Sequence, residues 1–413
     1  MKKVLLLLAL AIFGQFAIAQ DMKRQDANNY QRQAQQLIDA ADDYKAVNKM
    51  DKAAKQMNNA KILMQKAKAS IDAASVHEAT MNQAKTWHYY AVIYYKIGAY
   101  QEFKDLDPDA FTKVLGAIEK IKELDQSYFR QMGQELASYV SNIDINYYQN
   151  GVESYNNGNL EEAMGYFQKA NEAANTIGAV DDAALIALGQ CALKLGQYDV
   201  VVSNYETLLN KNFDDVAIYL GLITAYRELG NGEKAVETVA AARAKYPDNP
   251  NVINEMINTY RALNRENEII GDIEAMAQKY PDQPGYYYIL GNIYGKMESD
   301  IFDLERALEY YGKALEINPQ YGDVYYDAGV VLMNKAAEIS QEAEEKDPKD
   351  FSNFNEYLNA TDKLAADARV YNERALPYMV KAYELLPEDA VVKQALRTLY
   401  ARLKMMDKAK ELE

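Results

Sequence analysis

The sequence predicts an all-α chain built from repeated antiparallel helix hairpins. Three observations lead to this prediction. Only 9 prolines and 20 glycines occur in 413 residues, and most of them fall between apolar-periodic segments, where turns are expected. Apolar residues recur three and four positions apart, which is the period of a helix with one buried face. Similar segments also recur at a fixed distance along the chain, which is typical of stacked repeats.

The segment 287–319 illustrates one unit. Its first predicted helix carries four residues on one face, and its second carries three: Tyr287, Leu290, Gly291 and Tyr294, then Ala307, Tyr311 and Ala314. The small residues let the two helix backbones approach, the rings fill the space beside them, and Pro319 ends the second helix. One apolar side of this hairpin stays uncovered. The unit therefore needs a neighbouring copy of itself.

Copies recur at a spacing close to 34 residues. Lys-Tyr-Pro-Asp at Lys245 recurs at Lys279, and Pro387 lies 68 residues beyond Pro319, which is two periods. The small residue of each second helix follows in steps of 34, 38 or 68 residues, at Ala163, Val201, Ala235, Ile269, Ala307, Ala375 and Ala409. This period and pattern resemble the tetratricopeptide repeat (TPR) family. The resemblance covers about residues 146–413 and implies a right-handed α-solenoid, the TPR-like superhelix of antiparallel hairpins.

The first nineteen residues predict a signal peptide. Lys2 and Lys3 precede the apolar run 4–13, and the small-x-small sequence at residues 17–19 is a cleavage signal before Gln20. The apolar run is short for a membrane span, and no other run is long enough. We therefore expect an exported bacterial TPR protein, periplasmic or envelope-associated, without direct membrane insertion after cleavage. An uncleaved anchor is the alternative.

The charge balance argues against nucleic acid as a partner. The formal net charge is −16 at pH 7, and loss of Lys2 and Lys3 with the signal peptide makes it −18. Such a surface repels phosphate backbones and anionic lipid headgroups, so we predict neither nucleic-acid binding nor electrostatic membrane docking. Cys191 is the only cysteine, which excludes an intrachain disulfide.

Residues 20–140 predict helical hairpins ahead of the main array. Ala, Leu and Met recur at helical spacing on both sides of a break near residues 47–49, which indicates an amphipathic hairpin. A second hairpin, about residues 79–124, has Trp87, Tyr90 and Gly98 in repeat register and predicts a degenerate TPR-like repeat. One long helix is expected between Phe129 and Tyr155.

The array at residues 141–413 is interrupted once. The first helix of the last full repeat begins at Tyr325, but its second helix reaches Ala375 about 34 residues late. We predict that the helical insertion at about 336–370 lengthens both helices by about four turns and forms an elongated hairpin arm. A further degenerate repeat is the alternative, because the insertion equals one period. A partial repeat with a polar end, residues 408–413, closes the chain.

Catalytic and metal-binding patterns are weak. With only His77 and His88, no catalytic triad or histidine-rich metal centre can be assembled. The alternating aspartates of residues 105–109 begin like a calcium loop, but Ala110 stands where the turn glycine belongs and Gly116 where the bidentate acid belongs. No glycine-rich phosphate loop is present. We predict no enzymatic activity, no metal and no cofactor.

The resemblance implies that a peptide-binding groove is lined by the first helix of each repeat. Carried onto this chain, the central groove positions are Thr224, Arg227, Asn254, Asn258, Arg261, Tyr288 and Asn292, with Tyr148, Tyr155 and Tyr326 to the sides. Thr224, Asn258 and Asn292 are 34 residues apart and form a polar ladder. Asparagine both donates and accepts, so such a ladder suits the backbone of an extended peptide. Arg227 and Arg261 are suited to select an acidic or aromatic side chain.

The sequence thus predicts a non-catalytic protein-interaction scaffold of the cell envelope that binds an extended peptide or a helix in this groove. The arm is predicted to be a second contact site. The family's clamp for carboxyl-terminal tails needs a lysine where this chain has Leu220, Asn254 and Tyr288, so that mode is not expected. Two other classes stay open: a periplasmic assembly or chaperone-like factor for envelope proteins, and a glycan-acting envelope enzyme that uses a carboxylate pair.

Overall fold

The computed structural model describes the backbone of residues 2–412 and the side chains of residues 21–412. The predicted signal peptide, residues 1–19, lies outside the described side chains, and its cleavage stays a prediction. Helices joined by turns make up the described chain, and no strand occurs in it. The backbone divides into two compact units, Met1–Thr238 and Val239–Glu413. The predicted all-α fold class is confirmed.

The first unit contains ten helices among its described residues and ends within an eleventh. In chain order they are α1 (Lys2–Ala46), α2 (Met50–Ser75), α3 (Ala84–Ala99), α4 (Ala110–Leu124), α5 (Gln126–Gln131), α6 (Gly133–Asn156), α7 (Leu160–Thr176), α8 (Asp182–Leu195), α9 (Tyr198–Asn210), α10 (Val216–Glu228) and α11 (Gly232–Lys245). A short 3-10 turn, Gln101–Leu106, fills the extended loop before α4. The neighbouring helices α1 and α2, α3 and α4, α6 and α7, and α8 and α9 pack as hairpins.

The second unit continues the pattern with α12 (Pro250–Ala262), α13 (Ile270–Lys279), α14 (Pro284–Gly295), α15 (Leu304–Ile317), α16 (Gly322–Glu344), α17 (Phe354–Leu385), α18 (Ala390–Arg402) and α19 (Met406–Glu411). Two 3-10 turns, Glu266–Ile269 and Pro348–Asp350, precede α13 and α17. Within this unit, α14 packs on α15, α16 on α17, and α18 on α19. Each unit is thus a stack of helix hairpins, which is the construction of an α-solenoid.

Glycine lets the two helices of a hairpin approach closely. A Cβ atom added to Gly291 would lie 2.5 Å from the ring of Tyr311, and one added to Gly151 would lie 2.7 Å from the ring of Phe167. A side chain at either position would overlap the aromatic ring, so only glycine fits without displacing it. The seven small residues that define the 34-residue period are all buried. These contacts confirm the predicted hairpin packing.

Turn chemistry sets the ends of the helices. The carboxylate of Asp181 accepts a hydrogen bond from the Ala184 backbone N–H at 3.0 Å and begins α8, and Gly196, with φ of +68°, ends it. Asn264 has φ of +54° in the turn after α12, where other turns have glycine. Asparagine tolerates this left-handed conformation better than most residues do. The predicted break near residues 47–49 also occurs, with Asn48 at φ of +57°.

The single long helix expected between Phe129 and Tyr155 is wrong. The chain forms α5 and then α6, and the backbone leaves helical geometry at Met132, where ψ is 4°. Asp125 caps α5 by accepting hydrogen bonds from the backbone N–H groups of Ser127 and Tyr128, both at 2.9 Å. Gly133 has low helix propensity and follows the break directly. The boundary predicted at residues 140 and 141 falls inside α6 and stays a prediction.

The insertion at about 336–370 lies within one long hairpin. Helix α16 has 23 residues and α17 has 32, whereas α14 and α15 have 12 and 14. The extra length is unequal, about three turns in α16 and five in α17, rather than the four turns predicted for each. The hairpin turns at Pro348–Asp350, and the two helices extend beyond the length of their neighbours. We call the part from residue 336 to residue 370 the arm.

None of the described helices combines the length and the hydropathy that a bilayer crossing requires.

Candidate peptide-binding surface

The seven predicted groove residues are distributed over both units. Thr224 and Arg227 lie on α10 in the first unit, and the second unit holds the other five: Asn254, Asn258 and Arg261 on α12, and Tyr288 and Asn292 on α14. The ladder of Thr224, Asn258 and Asn292 therefore draws its members from two units. Each unit contains its own set of predicted groove residues.

In the first unit, the two predicted residues are only partly exposed. Thr224 is partly buried, and the Arg227 side chain is 23% exposed, with its Nε 3.8 Å from a Glu228 carboxylate oxygen. Arg227 thus has a partner within the chain. A guanidinium that is already engaged must give up that contact to bind an acidic side chain, which weakens the expected selectivity at this position.

Helix α12 has a buried apolar face and an exposed polar face. Asn249 begins the helix by accepting a hydrogen bond from the Asn251 backbone N–H at 3.0 Å, and Pro250 occupies the first turn. The helix buries Val252, Ile253, Met256 and Ile257.

The opposite side of α12 carries Asn254, Asn258 and Arg261, which are four and three residues apart and share one face. All three are exposed, and none of their side chains makes a hydrogen bond or ion pair with a described residue. Their donors and acceptors are therefore available to a ligand.

On α14, the two predicted residues belong to an internal network. The hydroxyl of Tyr288 donates to Asp327 Oδ2 on α16 at 2.6 Å. The hydroxyl of Tyr311 donates to Asn292 Oδ1 at 2.7 Å. Tyr311 is held there because its ring packs over Gly291. Asn292 is thus engaged through its carbonyl oxygen, and it differs from Asn258, which makes no such bond.

The sequence reasoning missed the carboxylates of this network. Asp323 and Asp327 are one turn apart on α16, which places them on the same side of the helix. Tyr321 precedes that helix, and its ring lies 5.2 Å from the ring of Tyr288. The i, i+4 spacing of two aspartates next to Tyr326 was a usable signal. It was obscured because so acidic a chain contains many similar pairs.

Burial and the charge of Asp323 act on the pKa of Asp327. Burial raises its pKa, and the nearby charge of Asp323 raises it further, while the hydrogen bond from Tyr288 acts in the opposite direction. Burial and the charges of Asp323 and Asp327 also raise the pKa values of Tyr321 and Tyr288, so both hydroxyls stay protonated near neutral pH. Burial, Asp327 and Asp389 raise the pKa of Tyr326 in the same way.

Several other carboxylates of the chain are paired with cations. Asp107 is 7% exposed and lies 2.5 Å from Lys113 Nζ and 3.5 Å from Lys68 Nζ. Its burial favours the neutral form, but these lysines hold its pKa below the usual range. Glu305 accepts two hydrogen bonds from Arg374, at 2.9 and 3.1 Å. Asp327 has no such partner among the described residues.

The residues of the weak metal and catalytic patterns form ion pairs and hydrogen bonds with neighbouring side chains. Lys61 pairs with Asp105 at 2.6 Å and two lysines face Asp107, so ammonium groups neutralise two of the three aspartates that resembled a calcium loop. The Nδ1 atom of His88 lies 2.8 Å from the Tyr128 hydroxyl, and its Nε2 atom lies 3.2 Å from Glu135. In the described part of the chain, no three histidine, cysteine or acidic side chains are grouped as metal ligands would be.

The comparisons with known proteins identify no family. No family model matches the chain, and no curated protein matches it. Solved structures with some likeness include a TPR repeat protein from Bacteroides fragilis NCTC 9343, with 20% identity, 62% of this chain and 98% of the other covered, and a TM-score of 0.29. A thermophilic TPR protein from Thermus thermophilus shares 24% identity over 46% of this chain and 98% of its own, with a TM-score of 0.29.

A third structure is YrrB, described as a TPR protein with an unusual peptide-binding site. It shares 15% identity over 61% of this chain and 89% of its own, with a TM-score of 0.28. Scores at this level do not establish a shared overall shape. The TPR-like character of the chain rests instead on its own helix hairpins, their 34-residue period and their glycine contacts.

Proposed function

We propose that this chain is a non-catalytic scaffold that binds an extended segment or a helix of another protein along the first helices of its hairpins. The observation that carries the proposal is the polar face of α12. Asn254, Asn258 and Arg261 expose amide and guanidinium groups that no described residue engages. Hydrogen-bonding groups with this regular spacing suit a backbone or a row of polar side chains.

The solvated surface of a helix is the competing explanation for these residues. A binding role and a solvating role differ in their response to substitution. Replacing a solvated asparagine with alanine leaves peptide binding unchanged, whereas replacing one that bonds a ligand removes about 0.5–1.5 kcal/mol per hydrogen bond. Because alanine favours the helix, neither change harms folding.

The test is an array of immobilised twelve-residue peptides of varied sequence, probed with the purified chain. We expect Asn254→Ala/Asn258→Ala to weaken binding of retained peptides about ten-fold, which corresponds to two lost hydrogen bonds. Gln278→Ala, an amide exposed on the second helix α13, is the matched control and should change nothing. Equal binding by the double variant and the wild type would reject α12 as the contact surface.

The arm is proposed as a second contact site. Phe354 is 63% exposed and Leu358 is 39% exposed, one turn apart near the end of the arm. A cleft of about 970 Å³ lies at its base, lined in part by Ser340, Arg369 and Arg402. Phe354→Ser/Leu358→Ser should reduce recovery of a crosslinked partner from native cells, whereas Met406→Ser, at a position on α19 that is 55% exposed, should not. Unchanged recovery would make the arm a structural elaboration only.

Export to the cell envelope is proposed from the first nineteen residues alone. The mature chain would begin near Gln20 and lack Lys2 and Lys3. Intact-mass measurement on chain isolated from the envelope fraction tests this directly. A mass that includes residues 1–19 would contradict cleavage.

A further inference from the structure

Asp327 is a partly buried carboxylate without a cationic partner among the described residues. Its Oδ2 atom accepts the hydrogen bond from Tyr288, whereas its Oδ1 atom accepts none from a described residue and is not fully buried. No described lysine or arginine pairs with Asp323 or Asp327. The negative charges of Asp323 and Asp327 repel each other where water screens them incompletely, and a cation that binds beside them reduces this repulsion.

Several tyrosines lie near this carboxylate. The centroid of the Tyr288 ring lies 5.2 Å from that of Tyr321 and 6.3 Å from that of Tyr311. The charge of Asp327 acts on Tyr326 as well, the residue that precedes it on α16. The faces of tyrosine rings carry negative electrostatic potential and attract ammonium and guanidinium groups. Rings and carboxylates together therefore favour the same kind of ligand.

We infer that Asp323, Asp327 and the rings of Tyr288, Tyr321 and Tyr326 bind a lysine or arginine side chain of the protein segment that the scaffold takes up. This inference rests on the proposed function and specifies its partner. The site opens toward solvent at Asp323, which is exposed, so a long side chain can enter and place its charged end beside Asp327 Oδ1. The three tyrosines are partly exposed, so their rings are accessible to the apolar stem of such a side chain.

Charge complementarity selects a cationic side chain over other occupants. An acidic side chain would meet two carboxylates, and an apolar one would leave both of them desolvated without compensation. A divalent metal ion prefers six or more oxygen ligands, and the described chain gathers no third acidic, histidine or cysteine ligand here. The charged group of a lysine or arginine side chain, by contrast, can bind through one hydrogen-bond acceptor and the faces of aromatic rings.

The experiment uses twelve-residue peptides retained by the array described above, resynthesised with one central position as arginine, lysine, citrulline, norleucine or glutamate. Affinities for the full chain are measured by fluorescence anisotropy. We expect the arginine and lysine peptides to bind about ten-fold more tightly than the citrulline and norleucine peptides, and the glutamate peptide to bind most weakly. Asp327→Asn keeps an acceptor for Tyr288 and removes the charge, so it should lower the preference about five-fold.

Asp323→Asn should also lower the preference for cationic peptides about five-fold. Asp323 is exposed, so this substitution should not disturb folding. Asp282→Asn is the matched control, because it removes an equal charge from an exposed turn of the same unit. Equal affinity for arginine and norleucine peptides would overturn the cationic site and leave the scaffold intact. If no peptide in the array binds, both the scaffold and the site are wrong.

Discussion

At the residue scale, Asp107 and Asp327 show that burial alone does not set the state of a carboxylate. Both are withdrawn from water, but two lysines face Asp107 and a second carboxylate faces Asp327. The pKa of Asp107 is consequently low and that of Asp327 is high. The ion pair between Asp107 and Lys68 connects the loop before α4 to α2. The neighbouring carboxylates Asp323 and Asp327 leave a negative charge that a ligand can compensate.

Gly291 provides a packing prediction. Gly291→Ala would place a methyl group 2.5 Å from the ring of Tyr311, so the ring must move and the free energy of unfolding should fall by about 1–3 kcal/mol. Gly312→Ala, in the same unit, is the control, because no atom beyond its own helix backbone and chain neighbours lies within 4 Å of the added Cβ atom. It should raise stability by about 0.4–1 kcal/mol through helix propensity. Urea unfolding followed by circular dichroism measures both, and a neutral Gly291→Ala would contradict the close approach.

Asp144 provides a pH prediction. Burial, together with the neighbouring Asp181, raises its pKa to about 7, while an unfolded aspartate titrates near 3.9. Between these values only the folded state holds the proton, so this group makes stability fall as pH rises from about 4 to 7. Asp144→Asn should therefore stabilise the chain by about 1 kcal/mol at pH 8, after allowance for solvent screening, and have little effect at pH 4.

Urea unfolding at pH 8 and pH 4 checks this prediction. Glu153→Gln, an exposed carboxylate on the same helix, is the control and should show no pH-dependent difference. A uniform effect of Asp144→Asn at both pH values would mean that the pKa of Asp144 is not raised in the folded chain.

At the scale of helices, the arm depends on its own capping residues. Asn353 begins α17 by accepting a hydrogen bond from the Glu356 backbone N–H at 3.0 Å, and Glu356 accepts one from the Ser352 backbone N–H at 3.2 Å. The first bond is an N-cap that satisfies one of the donors that the helix start leaves unpaired, and the second fixes the residue before the cap against the first turn. The arm extends beyond its neighbours, so fewer tertiary contacts secure this end of α17 than secure a shorter helix.

Asn353→Ala should loosen that end. Loss of an N-cap costs about 1 kcal/mol, so hydrogen exchange in the first turn of α17 should become about five-fold faster, with no change in α14. Asn359→Ala lies within the same helix at an exposed position and improves helix propensity, so it should leave exchange equal or slower. Equal exchange in the wild type and the Asn353→Ala variant would show that the cap does not stabilise the arm.

At the scale of the whole molecule, charge and core act in opposite directions. The chain has 61 acidic and 45 basic residues, so its surface is self-repelling despite many ion pairs. Many of those pairs are exposed, and exposed pairs contribute little each. Each unit has its own buried apolar clusters, which supply the stability that offsets the repulsion.

Salt should therefore stabilise the chain. Raising NaCl from about 20 to about 300 mM screens repulsion between carboxylates, and we expect the midpoint of thermal unfolding to rise by about 2–4 °C. The same series at pH 4, where many carboxylates are protonated, is the control and should show a smaller rise. A falling midpoint at neutral pH would show that the ion pairs outweigh the net repulsion.

Sequence reasoning correctly predicted the helix hairpins, their buried small residues and the break near residues 47–49. These features follow from short-range rules: apolar spacing, the space beside a glycine and the backbone freedom of asparagine. The break at Met132 escaped it, because an isolated glycine such as Gly133 is often tolerated inside a helix. The groove residues could be predicted from their register. Whether their polar groups are free to bind a ligand could not be predicted.

Availability depends on partners that are distant in sequence. Asn258 and Asn292 occupy the same register, but Tyr311 engages only Asn292, and Tyr288 reaches Asp327 across 39 positions of the chain. The sequence by itself determined which faces of the helices are apolar, because that pattern is local. Only the tertiary structure decided which polar groups stay unsatisfied, because hydrogen bonds and charge compensation depend on which helices meet.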